Sequence, residues 1–225
     1  MNQLLTHPVV ALAPQGTSHV PFAGATLALE ASAQTWNAAM ASCSDMALEV
    51  GVTEVSSTGL DGENVVVFRD AAWCRNGTCD QPGSAYDLSE TAITTIFFID
   101  QVGKPDDGAI LDADIEVNGA GYAIALGCEV TCTTSSTHDV AADLQNTLTH
   151  ELGHLLGLDH TCNEGAGVPP LDGQCKPAPA CEPRNALPAV ITEATMYDFQ
   201  EPEEIRKRTL TQDDVDGVCA TYARP

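Results

Sequence analysis

The chain has 225 residues, 44% apolar and 18% charged, which is enough hydrophobic material for one compact domain and too little charge for a disordered one. Thirty-two Asp and Glu face nine Lys and Arg, and the resulting net charge of −23 argues against nucleic acid or an anionic membrane as partner. Nine cysteines at short spacings point to four bridges and one odd thiol in an oxidising compartment, and no apolar run reaches membrane-spanning length. Met1-Asn2-Gln3-Leu4-Leu5 lacks the basic and apolar regions of a signal peptide, so the chain reads as the mature part of an exported protein.

In chain order, the apolar run 9–13 ends at Pro14 and Gly16 and predicts a first strand. Residues 24–41 are Ala-rich and free of proline, with Leu27, Ala31, Gln34, Thr35 and Ala38 at helical spacing, and predict a helix. Weak alternation over 46–52 and the β-branched run 65–69 predict two more strands. Segment 73–84 reads as a loop stapled by Cys74 and Cys79. Strands 92–100 and 110–118 follow, joined by Gly103-Lys104-Pro105-Asp106-Asp107-Gly108, which has strong turn chemistry. A second loop, 119–137, holds Cys128 and Cys132 at a spacing that favours their pairing.

A long helix is predicted over 139–153, with Ser136, Thr137 and Asp139 as candidate caps and Val140, Leu144, Leu148, Leu152 and Leu155 as its apolar stripe. Residues 161–194 are rich in proline and read as irregular, and a last helix is predicted over 211–222. Cys43 and Cys219 are candidates to tie the first helix to the last. That leaves Cys162, Cys175 and Cys181, of which two can pair.

The chemistry is concentrated in His150-Glu151-Leu152-Gly153-His154-Leu155-Leu156-Gly157-Leu158-Asp159-His160. His150 and His154 lie four apart on a helix, so both rings project from one face, away from the leucine stripe. Two imidazoles at that spacing can bind one Zn²⁺. Glu151 follows the first histidine, where its carboxylate can reach water at the metal without being a ligand. Gly157 lets the chain leave the helix sharply and bring His160 round as third ligand, with a fourth position open. A histidine pair at this spacing is often only a solvated face. Three His, one Glu and one Gly at fixed positions make a metal site the stronger reading.

These residues reproduce the signature of the metzincin metallopeptidases, which the chain resembles. Ala194-Thr195-Met196-Tyr197-Asp198 is similar to that family's methionine-bearing turn. Within the family, Met196-Tyr197 and Leu210-Thr211-Gln212-Asp213-Asp214-Val215-Asp216-Gly217 with Tyr222 resemble the matrixins, the matrix metalloproteinase branch. Asp112-Ala113-Asp114-Ile115 resembles a strand of bacterial matrixin-like proteins. The chain departs from matrixins in having Thr161 where they usually have Ser, and in the long cysteine-bearing segment between His160 and Met196. It has no Pro-Arg-Cys-Gly latency motif. Outside the main motif only His7, His19 and His138 remain, too few for the matrixins' second, structural zinc.

The resemblance implies an α/β (α+β) metzincin/zincin fold. A twisted five-stranded mixed sheet and two long helices would occupy 1–160, and a smaller, irregular part ending in a third helix would occupy 161–225, with zinc in the cleft between. It implies a secreted zinc endopeptidase with one catalytic Zn²⁺ on His150, His154 and His160, and Glu151 as general base and then acid. Met196 would form an apolar floor, Tyr197 and Phe199 would line the pocket for the residue after the cleaved bond, and strand 92–100 would be an edge that holds an extended peptide. Asp213 and Asp214 would secure the last helix to the methionine turn and the chain start. Partners would be protein or peptide substrates, with cationic ones favoured by the acidic surface, and a monomer is expected.

Asp100, Asp106, Asp107, Asp112, Asp114 and Glu116 offer hard oxygens that suit Ca²⁺, but in so acidic a chain solvated carboxylates explain them better. An archaemetzincin-type reading is disfavoured because that group expects Cys where Thr161 stands. A non-catalytic metal-binding adhesion or interaction module on the same fold is the competing class, and retention of Glu151 disfavours it.

Overall fold

The computed structural model describes residues 7–165, 169, 171 and 176–224. A mixed sheet contains β1 (Val9–Leu12), β2 (Glu49–Val52), β3 (Asn64–Phe68), β4 (Ala92–Phe98) and β5 (Ile110–Val117), in the order β2-β1-β3-β5-β4. The first four neighbours in that order run parallel. β4 closes one edge antiparallel to β5, from Ala92↔Val117 to Phe98↔Ile110. This is the five-stranded mixed sheet expected from the sequence. A second, parallel pair, β6 (Ala123–Ala125) and β7 (Ala141–Asp143), was not expected, since three-residue stretches are too short to show a period.

Helix α1 (Phe22–Met40) packs on α2 (Leu144–Leu155). Its buried face carries Ala25, Ala28, Leu29, Ala33, Trp36 and Met40, while Leu27 is 65% exposed. The helix was expected, but the spacing read through Leu27 and Ala38 follows the wrong face. In an alanine-rich helix the stripe has little contrast, and the bulk of Trp36 and Met40 decides which side is buried. Trp36 Nε1 donates to the Thr149 carbonyl at 2.8 Å, joining α1 to the middle of α2.

α2 begins later than its expected start at residue 139. Asp143 is the true cap, its carboxylate accepting the Asn146 N–H at 2.9 Å. The residues before it are taken up by β7, and Val140, 40% exposed, lies outside the helix. Leu144, Leu148, Leu152 and Leu155 do form the buried stripe, packed with Trp36, Ile115, Met196 and Val218 in one core.

The C-terminal part is mostly irregular, with a four-residue α3 (Ala189–Thr192) and a last helix α4 (Gln212–Thr221) opened by a Thr211–Asp214 capping box. Four cysteine pairs stand at disulfide distance: Cys43–Cys219, Cys74–Cys79, Cys128–Cys132 and Cys162–Cys181. Cys175, the ninth, lies outside the described residues. No described helix is long and apolar enough to cross a membrane.

The six acids weighed for calcium do not gather at one point. Asp106 and Asp107 belong to the exposed β4–β5 connection. Asp112, Asp114 and Glu116 are buried on one face of β5. Asp112 accepts the N–H groups of Asp61 (2.8 Å) and Gly62 (2.6 Å), Asp114 those of Gly59 (2.7 Å) and Val65 (3.0 Å), and Glu116 pairs with Arg69 at 2.6 Å. Asp112 and Asp114 thereby pin the β2–β3 loop to the sheet, and Glu116 holds the residue that follows β3. Burial nonetheless raises the Asp114 carboxyl to about 6.

Candidate metal centre and catalytic cleft

His150 and His154 leave α2 from successive turns. Gly157, at φ +82°, then takes a left-handed conformation that only glycine adopts cheaply. The turn brings Leu158 N–H back to the Gly153 carbonyl at 3.0 Å and places the Leu158 carbonyl 2.8 Å from His154 Nδ1. It also delivers His160. The three Nε2 atoms converge, His154 lying 3.2 Å from His150 and 3.1 Å from His160, with 3.2 Å between His150 and His160. Three ligand nitrogens of a tetrahedral zinc site, each ~2.0–2.1 Å from its centre, would lie about 3.3 Å apart.

Proton placement strengthens the case. Each outer nitrogen faces an acceptor: His150 Nδ1 the Thr195 carbonyl at 2.6 Å, His154 Nδ1 the Leu158 carbonyl, and His160 Nδ1 the Glu164 carboxylate. The protons therefore sit on Nδ1, and three Nε2 lone pairs point at one another. Such an arrangement is repulsive unless an electrophile occupies its centre. Burial, followed by the Lys207 charge, holds His150 well below the usual imidazole range, and burial takes His160 down to about 3. The His150 and His160 rings are therefore neutral at physiological pH, as metal ligands must be. A buried three-histidine cluster able to hold a metal ion is thus present.

Glu164 was not singled out from the sequence, because a carboxylate four residues after His160 in a proline-rich loop carries no local signal. Glu164→Ala should weaken metal binding about tenfold or more, since outer partners of this kind fix ring orientation and basicity. Competition against a chelator of known affinity reads the change. A value equal to the parent protein's would remove Glu164 from the site.

Glu151 is buried beside the cluster, and its Oε2 accepts from the Thr94 hydroxyl of β4 at 2.6 Å. Burial raises its carboxyl above the ordinary range. Met196 lies beneath, buried against Gly153, where an added Cβ would collide with Met196 Sδ and the Trp36 ring. The glycine of the motif is therefore needed for close approach of the methionine turn. Phe199 lines the cleft, whereas Tyr197 is buried in a satellite cluster with Cys162 and Cys181. The tyrosine expected to line the pocket is instead part of its backing, and its carbonyl accepts from Lys207 Nζ.

The cleft has a volume of about 540 Å³. β4 forms one wall with residues Ala92, Ile93, Thr94 and Ile96, and the three histidines and Glu151 form the floor. Since β4 is an edge strand, its outer backbone groups are open to an added strand. Asp87, Glu90, Glu164 and Asp198 give the rim an acidic character. Burial raises the carboxyls of Glu90 and Glu164, with added repulsion from Asp87 on the first and from Asp198 on the second. No family model matches the chain, and neither does any curated protein.

Proposed function

We propose that the protein is a secreted zinc-dependent endopeptidase of the metzincin class and matrixin type. The observation that carries the reading is the convergence of three Nε2 lone pairs next to a buried, hydrogen-bonded carboxylate at the foot of an open edge strand. Three imidazoles with a free fourth position suit zinc, which when bound would supply Lewis acidity to a water molecule and to the peptide carbonyl.

The chain's own residues account for the rest. β4 aligns an extended peptide across the histidines by main-chain hydrogen bonds. Glu151 takes a proton from the attacking water as the carbon–oxygen bond forms, then passes it to the leaving amine as the carbon–nitrogen bond breaks. Its raised pKa brings it nearer the range in which both transfers are feasible, and the Thr94 hydroxyl holds its orientation. The Met196 turn supports His150 through the Thr195 carbonyl.

The test is incubation of zinc-loaded protein with casein or gelatin, with and without a chelator. Cleavage should stop on chelation and return with added zinc. Stoichiometric zinc without any cleavage would instead favour the metal-binding interaction module.

A further inference from the structure

The consecutive cations Arg206, Lys207 and Arg208 have different surroundings. Arg206 pairs with Glu204 at 3.0 Å, and Arg208 with Asp143 and Glu129, each at 2.8 Å. Lys207 turns inward and is 3% exposed, with its backbone N–H fixed by Asn146 Oδ1 at 2.7 Å. Its Nζ donates to the Tyr197 carbonyl and lies 3.4 Å from His150 Nδ1, which is itself a donor to Thr195. Among the described residues no carboxylate oxygen comes within 4.0 Å of it. A buried ammonium with donors to spare is costly unless something completes its shell.

A second donor points the same way. Gln200 Oε1 accepts from the Thr147 hydroxyl at 3.2 Å, and Gln200 Nε2 is buried without a partner. Lys207 and Gln200 line the same cleft as His150 and Glu151, beside Phe199. The flanking arginines and the Asn146 bond hold the lysine there.

We propose that this part of the cleft is a pocket for a carboxylate side chain, glutamate or aspartate, on the substrate residue that follows the cleaved bond, held by Lys207 Nζ and Gln200 Nε2. The proposal rests on the peptidase reading. An aliphatic side chain would leave Gln200 Nε2 without an acceptor and Lys207 Nζ with the Tyr197 carbonyl alone, and a lysine would bring a second ammonium against the first. A carboxylate supplies two acceptor oxygens and a negative charge in direct contact, where Glu204, Glu151, Asp198 and Asp214 act on Lys207 only from beyond ion-pair distance. The rim, with Asp87, Glu90, Glu164 and Asp198, has the opposite sign. The preferred peptide thus carries an acid at this one position and cations on either side. The overall charge indicates only the second of these features.

Four peptides, blocked at both ends and alike except for Glu, Gln, Leu or Lys after the cleaved bond, test it. With zinc-loaded protein, kcat/KM for Glu should exceed that for Gln and Leu by about tenfold or more, the usual worth of hydrogen bonds to a charged group, with Lys lowest. Lys207→Met should bring the Glu-to-Gln ratio close to one. Gln200→Leu should lower it several-fold and serves if the lysine variant does not fold. Binding of the same peptides to zinc-loaded Glu151→Gln protein reads the pocket without turnover and should keep the order. If Leu equals or exceeds Glu in cleavage and in binding, the carboxylate pocket is wrong and the peptidase reading stands. If no peptide is cut but Glu still binds best, the peptidase reading fails and the pocket stands.

Discussion

Glu151→Gln is expected to lower kcat/KM on any peptide by about 10³-fold, within the ~10²–10⁴ range that positioned general bases contribute. The substitution keeps shape and leaves Oε1 to accept the Thr94 hydroxyl, so the helix and β4 should not shift. It also leaves the metal in place, because the converging donors are the three histidine nitrogens and the carboxylate is not among them. What disappears is the capacity to carry a proton between water and the leaving nitrogen. The measurement is therefore paired: metal content should equal the parent's while turnover collapses. Activity within tenfold of the parent would show that some other group moves the proton. Loss of metal together with activity would place Glu151 in the ligand set instead.

How much of this was legible in the sequence depends on range. The His150–His160 constellation is local: helix periodicity sets two ligands, Gly157 sets the third, and all are close in the chain. The sheet was legible for a similar reason, since each strand from β1 to β5 is bounded by turn residues. By contrast, Thr94, Gln200 and Lys207 reach the cleft from separate elements. A threonine in a strand and a lysine between two arginines look like surface residues until tertiary packing turns them inward. The face of α1 failed because alanine gives little contrast, and the start of α2 failed because Asp143 is both a strand end and a cap. Asp143 also holds Arg208, so the segment that aims Lys207 into the cleft is anchored to the helix that bears the histidines.

Asp214→Ala should be strongly destabilising for a polar substitution away from the cleft, costing about 4 kcal/mol, which corresponds to a fall of about 10 °C in Tm for a chain of this size. The carboxylate is 2% exposed and serves two elements. Its oxygens accept the Thr211 N–H (2.7 Å) and hydroxyl (2.8 Å), which opens α4. They also accept the N–H groups of Thr195 and Met196, each at 3.0 Å, which fixes the methionine turn. Alanine would remove the cap and strand two buried N–H donors, each costing ~1–3 kcal/mol when left unpaired. A surface cap alone is worth typically ~1 kcal/mol, so the size of the effect separates the two roles. The consequence reaches the metal, because the Thr195 that donates to Asp214 also accepts from His150 Nδ1 through its carbonyl. The variant should bind zinc more weakly even at temperatures where it is fully folded, while Asp214→Asn, which retains one acceptor oxygen, should fall between. A loss near 1 kcal/mol with unchanged zinc affinity would reduce Asp214 to an ordinary helix cap and break the proposed path from α4 through the methionine turn to His150.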